Sequence, residues 1–202
     1  MKLYYHPGSS RSRRVLALVA ELKIELEKEV VDLAGGAQRS EPYLAVNPNG
    51  VVPALVDGDF ALWESAAILQ YLASLQPTSL YPEGARARAD ITRWLTWTVG
   101  HLEQATNVFL FENVIKGFFG LGAASEAELA RGTELLRKHA GVLEAHLAGR
   151  QWLVGDGATI ADFMVAGSLF WNEMGKMSLA PYPGVQGWLV RVLALPGWQA
   201  TA

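Results

Sequence analysis

Residues 47–55 read Asn-Pro-Asn-Gly-Val-Val-Pro-Ala-Leu, and an Asp57-Gly58 turn then leads to Glu64-Ser65 at the start of an apolar helix. Proline is tolerated at the first residue of a strand, where its missing N–H costs little. A cis bond before Pro53 fixes a tight turn and leaves the backbone amide and carbonyl of Val52 free for an extended ligand. This segment predicts a small site for a peptide-like molecule with charged ends. The alternative is a loop proline beside an ordinary helix N-cap.

The composition is that of a folded protein without cysteine. The 202 residues are 50% hydrophobic and 10% aromatic, which is enough to bury the core of one large domain or two small ones. A net charge of −3 disfavours a nucleic-acid binder, which would normally be basic. Because the chain has no cysteine, any thiol chemistry must use a thiol that a ligand brings.

The sequence offers no signal for a membrane, a metal or a nucleotide. No apolar run approaches the roughly 20 residues that span a bilayer, and the N-terminus lacks the apolar stretch of a signal peptide. We therefore expect a cytoplasmic protein that binds no membrane. The four histidines show no His-Glu-x-x-His spacing. We expect no metal site, and we expect His139 and His146 on a solvated helix surface.

The first 75 residues predict one compact α/β unit with the order β-α-β-α-β-β-α. The expected strands cover residues 2–5, 29–33, 54–56 and 60–62, and the expected helices cover 11–22, 64–75 and a short turn near 43–46. Residues 76–85 read as a linker, because proline, glycine and polar residues replace the apolar pattern.

Residues 86–202 predict an all-helical domain. Long helices are expected from Arg86 to Phe111 and from Glu126 to Leu147, joined through a flexible Gly-rich connection at 117–122. The first of these helices has two apolar stripes, formed by Ile91, Leu95, Val99, Leu102 and Phe109 and by Trp94, Trp97 and His101. Two stripes indicate two neighbours, such as an internal core and a subunit interface. Thr159 and Asp162 predict a capping box at the start of a later helix.

The first helix begins where a thioredoxin-like unit usually carries a reactive cysteine, and here that position holds Ser9, Ser10 and Ser12. A serine without a histidine base is a poor nucleophile. Its hydroxyl can instead donate a hydrogen bond to a thiolate that belongs to a ligand. Such a bond supplies about 1.5–3 kcal/mol, enough to ionise a thiol near neutral pH. Three arginines in the same turn, at positions 11, 13 and 14, indicate either an anion-attracting mouth or solvated surface charges.

These pieces together resemble the cytosolic glutathione transferases whose catalytic hydroxyl is a serine, as in the theta, delta, phi and zeta classes. We expect the chain to come from a bacterium. The matching segments are residues 5–10, 47–55, 64–68, 155–163 and 183–188. The resemblance implies the glutathione transferase fold, with an α/β thioredoxin-like N-terminal domain followed by an all-α C-terminal domain. It also implies a homodimer and glutathione as co-substrate, with no metal and no nucleotide.

The resemblance also implies roles for individual residues. Ser9 matches the serine that hydrogen-bonds the glutathione sulfur, and Ser10 is the alternative, since neighbouring serines leave the register open. Val52, in front of a cis Pro53, matches the residue whose backbone pairs with the cysteinyl part of glutathione. Glu64 and Ser65 match the residues that hold the γ-glutamyl amine and carboxylate.

The resemblance implies further site residues. Gln38 and Arg39 fall where the family often has a His/Lys pair for the glycine carboxylate. Two residues depart from the family pattern: Gln38 replaces the expected histidine, and Val51 replaces a basic residue that often precedes the Val-Pro pair. Trp97, His101 and Phe111 are predicted to line a pocket for a small, largely apolar electrophile. The alternatives are a glutathione-dependent isomerase or dehalogenase of the zeta-like type, and a non-catalytic binding or regulatory protein on the same fold.

Overall fold

The structure is a computed structural model that describes residues 1–201. Its N-terminal part contains a four-stranded mixed sheet with the order β2-β1-β3-β4. The strands are β1 (Lys2–Tyr5), β2 (Glu27–Val30), β3 (Ala54–Asp57) and β4 (Phe60–Trp63). β1 runs parallel to β2 and antiparallel to β3, and β3 forms the predicted hairpin with β4.

Three helices and one turn complete this unit. They are α1 (Ser10–Glu21), a 3₁₀ turn (Ala37–Arg39), α2 (Glu41–Val46) and α3 (Ser65–Ser74). Leu3 and Leu55 from the sheet and Leu18 and Ile68 from α1 and α3 are fully buried in one core. The predicted element order is confirmed, because each predicted strand and helix is present.

β2 begins two residues and ends three residues earlier than predicted, over Glu27–Val30 and not 29–33. All four of its residues are exposed, so its bounds follow from pairing with β1 at the sheet edge and not from burial. The buried Val31 lies just past the strand, where its side chain packs with Tyr43 and Val52.

The C-terminal part is helical, as predicted. Its helices are α4 (Ala85–Trp97), α5 (Glu103–Leu110), α6 (Lys116–Phe119), α7 (Glu126–Leu147), α8 (Ile160–Leu169), α9 (Pro183–Leu193) and α10 (Pro196–Gln199). Two π-helical segments, Thr98–Leu102 and Phe111–Ile115, connect α4 to α5 and α5 to α6. No helix within residues 1–201 is both long enough and apolar enough to cross a bilayer.

The predicted helix from Arg86 to Phe111 is therefore wrong in two respects. Helical structure continues to Phe119 and ends at Gly120, whose φ of +64° suits glycine. The two π segments also shift the register of the side chains, since each adds a residue to one turn. Val99, predicted in the core stripe, is 47% exposed, whereas the adjacent Leu102 and Glu103 are both buried.

Helix α8 lies at the centre of the molecule, and each of its residues is buried. The predicted capping box is confirmed: Thr159 N donates to Asp162 Oδ2 at 2.8 Å. Asp162 Oδ1 also accepts from Leu153 N at 3.0 Å and from Trp188 Nε1 at 2.9 Å. Because α8 packs against both α1 and α4, it fixes the helical part against the start of the thioredoxin-like part.

Candidate active site

Ser9 is the N-cap of α1. Its Oγ accepts a hydrogen bond from Ser12 N at 3.2 Å, and its carbonyl accepts from Arg13 N at 2.9 Å. A hydroxyl has one donor and two acceptor positions, so the O–H of Ser9 stays available to donate to a ligand. The first turn of α1 contains no acidic residue, which leaves the positive end of the helix dipole open to an anion.

Of the two neighbouring serines, Ser12 differs from Ser9 in exposure and Ser10 does not. Ser12 is fully buried, and its Oγ accepts from His6 N at 3.3 Å, so it serves the fold. Ser10 is the first residue of α1 and is partly exposed. Both Ser9 and Ser10 thus lie at the accessible start of the helix, and the capping bond distinguishes Ser9.

The loop before β3 contains the expected cis peptide bond and is held by side chains of Tyr43 and Asn47. The Val52–Pro53 peptide bond is cis, and the carbonyl of Val51 is held by Tyr43 Oη and Asn47 Nδ2, both at 2.7 Å. Within residues 1–201 these bonds fix the loop without using the backbone of Val52. The Val52 amide and carbonyl have no hydrogen-bond partner within the described residues, and Val52 as a whole is 7% exposed.

Glu64 and Ser65 form the start of α3. Glu64 has a φ of +68°, a conformation that costs a non-glycine residue about 1–3 kcal/mol and that concentrates at functional sites. Its side chain is exposed, whereas Ser65 is only 2% exposed. The strained residue thus turns a carboxylate outward directly beside a buried hydroxyl.

The hydroxyl of Ser65 is held by a buried arginine. Arg14 is 1% exposed, and its Nε and Nη2 both donate to Ser65 Oγ, at 3.1 and 2.7 Å. These two bonds occupy the acceptor positions of the oxygen, so its O–H must point elsewhere. The O–H of Ser65 is therefore left to donate a hydrogen bond, with the positive charge of Arg14 behind the oxygen.

The charge of Arg14 is balanced by Glu103 at the start of α5. Arg14 Nη1 donates to Glu103 Oε1 at 3.0 Å and to Ser168 Oγ at 3.3 Å, and Arg11 Nη2 donates to Glu103 Oε2 at 2.6 Å. Burial alone would raise the pKa of Glu103, but the charges of Arg14 and Arg11 outweigh it and hold that pKa below its ordinary value. Burial lowers the pKa of Arg14, opposed by the charge of Glu103.

The interpretation of the three arginines needs correction. Arg14 is neither a solvated charge nor part of an open mouth, because it is buried under α8. Arg13 stacks over the ring of Phe170, at 4.1 Å from its centroid, and its Nη2 donates to the carbonyl of Thr201. Only Arg11 keeps a substantially exposed side chain, at 41%.

Gln38 and Arg39 lie in the 3₁₀ turn Ala37–Arg39. Gln38 Nε2 donates to Leu33 O at 3.4 Å, while its buried Oε1 has no partner within residues 1–201. An added Cβ at Gly50 would lie 3.2 Å from the carbonyl of Gln38, so this turn borders the loop that leads to Val52. Arg39 is exposed beside it.

Trp97 and His101 come together, but their contacts are with α7. Their ring centroids lie 6.1 and 5.5 Å from that of His139, and Trp94 lies 4.6 Å from His146. The prediction of a solvated helix surface is thus wrong for His139, which is 4% exposed. It is also wrong for the partly buried His146, whose Nε2 lies 2.8 Å from Leu153 O.

Phe111 lies apart from Trp97 and His101, one helix further along, and is 42% exposed. Lys116 Nζ is 5.7 Å from the centroid of its ring. Glu103, at the start of α5, contacts the start of α1 through Arg11. The role of Phe111, Trp97 and His101 in substrate binding stays a prediction.

Arg11, Arg14 and Glu103 form a charged cluster that the sequence analysis missed, and Arg14 links this cluster to Ser65. Arg14 lies one helical turn before the buried Leu18, and this position on the apolar face was a signal that it would be buried. Within residues 1–201 there is no group of three or more His, Asp or Glu side chains arranged to hold a metal ion.

Comparison with known proteins identifies relatives over the whole chain. The family model described as "Glutathione S-transferase, N-terminal domain" matches residues 1–74, and "Glutathione S-transferase, C-terminal domain" matches residues 104–196. Glutathione S-transferase 3 of Zea mays is 34% identical over 207 residues, covering 100% of this chain and 92% of the relative. Glutathione S-transferase D7 of Anopheles gambiae is 33% identical, covering 93% and 83%. The crystal structure of glutathione transferase F7 from Populus trichocarpa superposes with a TM-score of 0.92 at 26% identity, covering 99% and 96%.

Proposed function

Because the chain belongs to the glutathione S-transferase family, whose curated members are enzymes, we propose that it activates the thiol of glutathione for attack on small, largely apolar electrophiles. Glutathione is the co-substrate in this proposal, and neither a metal nor a nucleotide takes part. The observation that carries the proposal is the capping bond of Ser9, which uses one acceptor position of Oγ and leaves its O–H free.

In this mechanism Ser9 donates to the sulfur and stabilises the thiolate. An ordinary thiol with a pKa near 8.5 must drop by about 1.5–2 units to be mostly ionised at neutral pH. One hydrogen bond to a charged acceptor is worth about 1.5–3 kcal/mol, which supplies that shift. The open N-terminus of α1 adds to it, because the helix dipole favours an anion there. The thiol proton passes to solvent, and the thiolate attacks the electrophile.

The remaining contacts hold the peptide part of glutathione. The backbone of Val52 beside the cis Pro53 supports pairing with the cysteinyl residue. Glu64 takes the γ-glutamyl amine, and the O–H of Ser65, with Arg14 behind it, takes the α-carboxylate. Arg39 takes the glycine carboxylate, next to Gln38. Trp97, His101 and Phe111 keep their proposed role beside the electrophile.

The proposal is tested by an ultraviolet difference titration of bound glutathione in the intact protein, Ser9→Ala and Ser10→Ala. We expect a thiolate band near neutral pH that Ser9→Ala removes by raising the thiol pKa about 1–2 units. Loss in Ser10→Ala alone would transfer the role to Ser10. Tight binding of glutathione without any thiolate band in the intact protein would support a carrier or regulator instead.

The zeta-like alternative remains distinguishable by its product. A glutathione-dependent isomerase would convert maleyl-type acids rapidly without accumulating a conjugate, and a dehalogenase would release halide while regenerating glutathione. The zeta class carries a cysteine where this chain has Arg11, which favours conjugation.

We also propose a cytoplasmic homodimer, as the family resemblance implies. The stripe of Trp94, Trp97 and His101 does not support this proposal, because Trp94 and Trp97 pack against His146 and His139 of α7 in the same chain. Light scattering during size-exclusion chromatography would measure the mass of one chain or of two.

A further inference from the structure

Arg11 spans the gap between the thioredoxin-like part and the helical part. It is the second residue of α1, and its Nη2 reaches Oε2 of Glu103, the first residue of α5, at 2.6 Å. Its side chain is 41% exposed, whereas that of Arg14 in the same cluster is 1% exposed. Arg11 is therefore the member of the cluster that a second substrate can reach.

The cluster carries more positive than negative charge. Glu103 contributes one carboxylate, whose Oε1 accepts from Arg14 and whose Oε2 accepts from Arg11. One negative charge cannot neutralise two guanidinium groups. The negative charge of Glu64 also raises the pKa of Arg14, but the proposed function assigns the Glu64 carboxylate to the amine of glutathione. The uncompensated charge is thus found on the exposed Arg11.

Arg11 also has hydrogen-bond donors to spare. A guanidinium has five N–H groups, and within the part of the chain that the structure describes the hydrogen bond from the Arg11 side chain is the one to Glu103. The remaining N–H groups form a planar fork that matches a carboxylate in bidentate geometry. Ser9, the proposed thiolate donor, stands two residues earlier at the N-cap of the same helix, and the Arg11 side chain extends from there toward α5.

We propose that Arg11 binds a carboxylate or comparable anionic group on the electrophile, and so selects acidic electrophiles over neutral ones. This inference rests on the proposed function, because it concerns the second substrate of the same site. A suitable probe is 4-chloro-3-nitrobenzoate. The thiolate sulfur forms a bond to the carbon that carries chlorine, and chloride leaves with the bonding pair. The carboxylate of the probe is unchanged and stays on Arg11.

The test compares this acid with its methyl ester at saturating glutathione. For each electrophile, kcat/KM is divided by the rate constant of the uncatalysed reaction with glutathione, which removes the difference in intrinsic reactivity. The normalised value for the acid is then divided by that for the ester to give the acid-to-ester ratio. We expect Arg11→Gln to lower this ratio about tenfold, equivalent to about 1.4 kcal/mol of transition-state stabilisation. Arg11→Lys should retain part of the preference. Arg131→Gln, which removes an exposed arginine paired with Glu128 on α7, should leave the ratio unchanged.

Two results would overturn the proposal. An unchanged ratio in Arg11→Gln would mean that Arg11 does not contact the anionic group. An equal loss for acid and ester, together with a raised thiol pKa of bound glutathione, would mean that Arg11 acts on the thiolate.

Failure of the proposed function is a separate result, seen as no conjugation of either electrophile by the intact protein. Calorimetric binding of 3-nitrobenzoate and 3-nitrobenzamide then tests Arg11 directly. A preference for the acid that Arg11→Gln abolishes would support the inference, and equal binding of both compounds would contradict it.

Discussion

Arg14 and Ser65 are 51 positions apart in the chain and share two hydrogen bonds, from Nε and Nη2 of the arginine to a single Oγ. The arginine is also paired with Glu103 of α5. One buried guanidinium thus connects the start of α3 with the helical part. The position of a proposed ligand-binding hydroxyl therefore depends on packing between the two parts of the molecule.

Arg14→Met is expected to destabilise the protein by about 3–5 kcal/mol, because it leaves Glu103 buried with one of its two cationic partners removed. Ser65 and Ser168 would also lose hydrogen bonds. Urea unfolding followed by circular dichroism measures this change in the free energy of unfolding.

A matched control is Arg131→Met, which removes an exposed i,i+3 pair with Glu128 and should change stability by no more than about 0.5 kcal/mol. The double variant Arg14→Met with Glu103→Leu removes both buried charges and should be more stable than Arg14→Met alone. Equal destabilisation by Arg14→Met and Arg131→Met would show that the buried pair has no special role.

Ser65→Ala is expected to weaken glutathione binding by about tenfold to a hundredfold, since the hydrogen bond it removes involves a charged carboxylate. The measurement is the dissociation constant by calorimetry. A glutathione analogue that lacks the α-carboxylate provides the comparison, because it should bind the intact protein and Ser65→Ala with similar affinity. If both ligands lose the same affinity, the substitution acts through the disturbed Arg14 and not through a contact with the carboxylate.

Local signals in the sequence were sufficient for much of the fold. Asp57-Gly58 between two β-rich runs predicted the β3–β4 hairpin, because only a few residue pairs suit such a turn. Periodic apolar residues predicted α7 with both its ends. The π segments were not predictable in this way, since an extra residue in a helical turn is a response to the packing on either side of it.

Spacing along the chain led to the proposals for Val52, Pro53, Glu64 and Ser65, which are close in sequence. It could not reveal contacts between residues that are far apart. The partner of Arg14 is 89 positions away, and neither residue type reveals a buried pair by itself, because both are common on surfaces. His139 was misjudged for the same reason: its burial depends on Trp97 and His101 in a different helix.

Gln38→Lys is expected to lower the KM for glutathione by about two- to fivefold, the gain from one partly exposed ion pair. The physical reason is that Gln38 borders the loop leading to Val52, where the glycine carboxylate of the ligand is proposed to lie, and glutamine brings no charge. The control is glutathione ethyl ester, in which the glycine carboxylate is blocked and the gain should disappear. An equal gain with the ester would place the glycine carboxylate elsewhere.

His139 gives the stability of the protein a defined pH dependence. Burial lowers its pKa below the ordinary value of 6.5, assisted by the charges of His101 and Lys138. His139 therefore binds a proton at a higher pH in the unfolded chain than in the folded protein. The contribution of His139 to the free energy of unfolding is fully present above about pH 6.5 and is lost as the pH falls from there toward the pKa of the folded state. The free energy of unfolding falls by no more than about 1.4 kcal/mol per pH unit in this range.

His139→Gln should remove this part of the pH dependence while keeping a polar side chain of similar size, and His139→Phe should remove it with an apolar ring. The measurement is the free energy of unfolding in urea at pH 7.5 and 5.5 for the intact protein and both variants. We expect the intact protein to lose more stability between the two pH values than either variant does. Equal losses in all three would mean that His139 accepts a proton without unfolding, which would require the contacts with Trp97 and His101 to open in the native state.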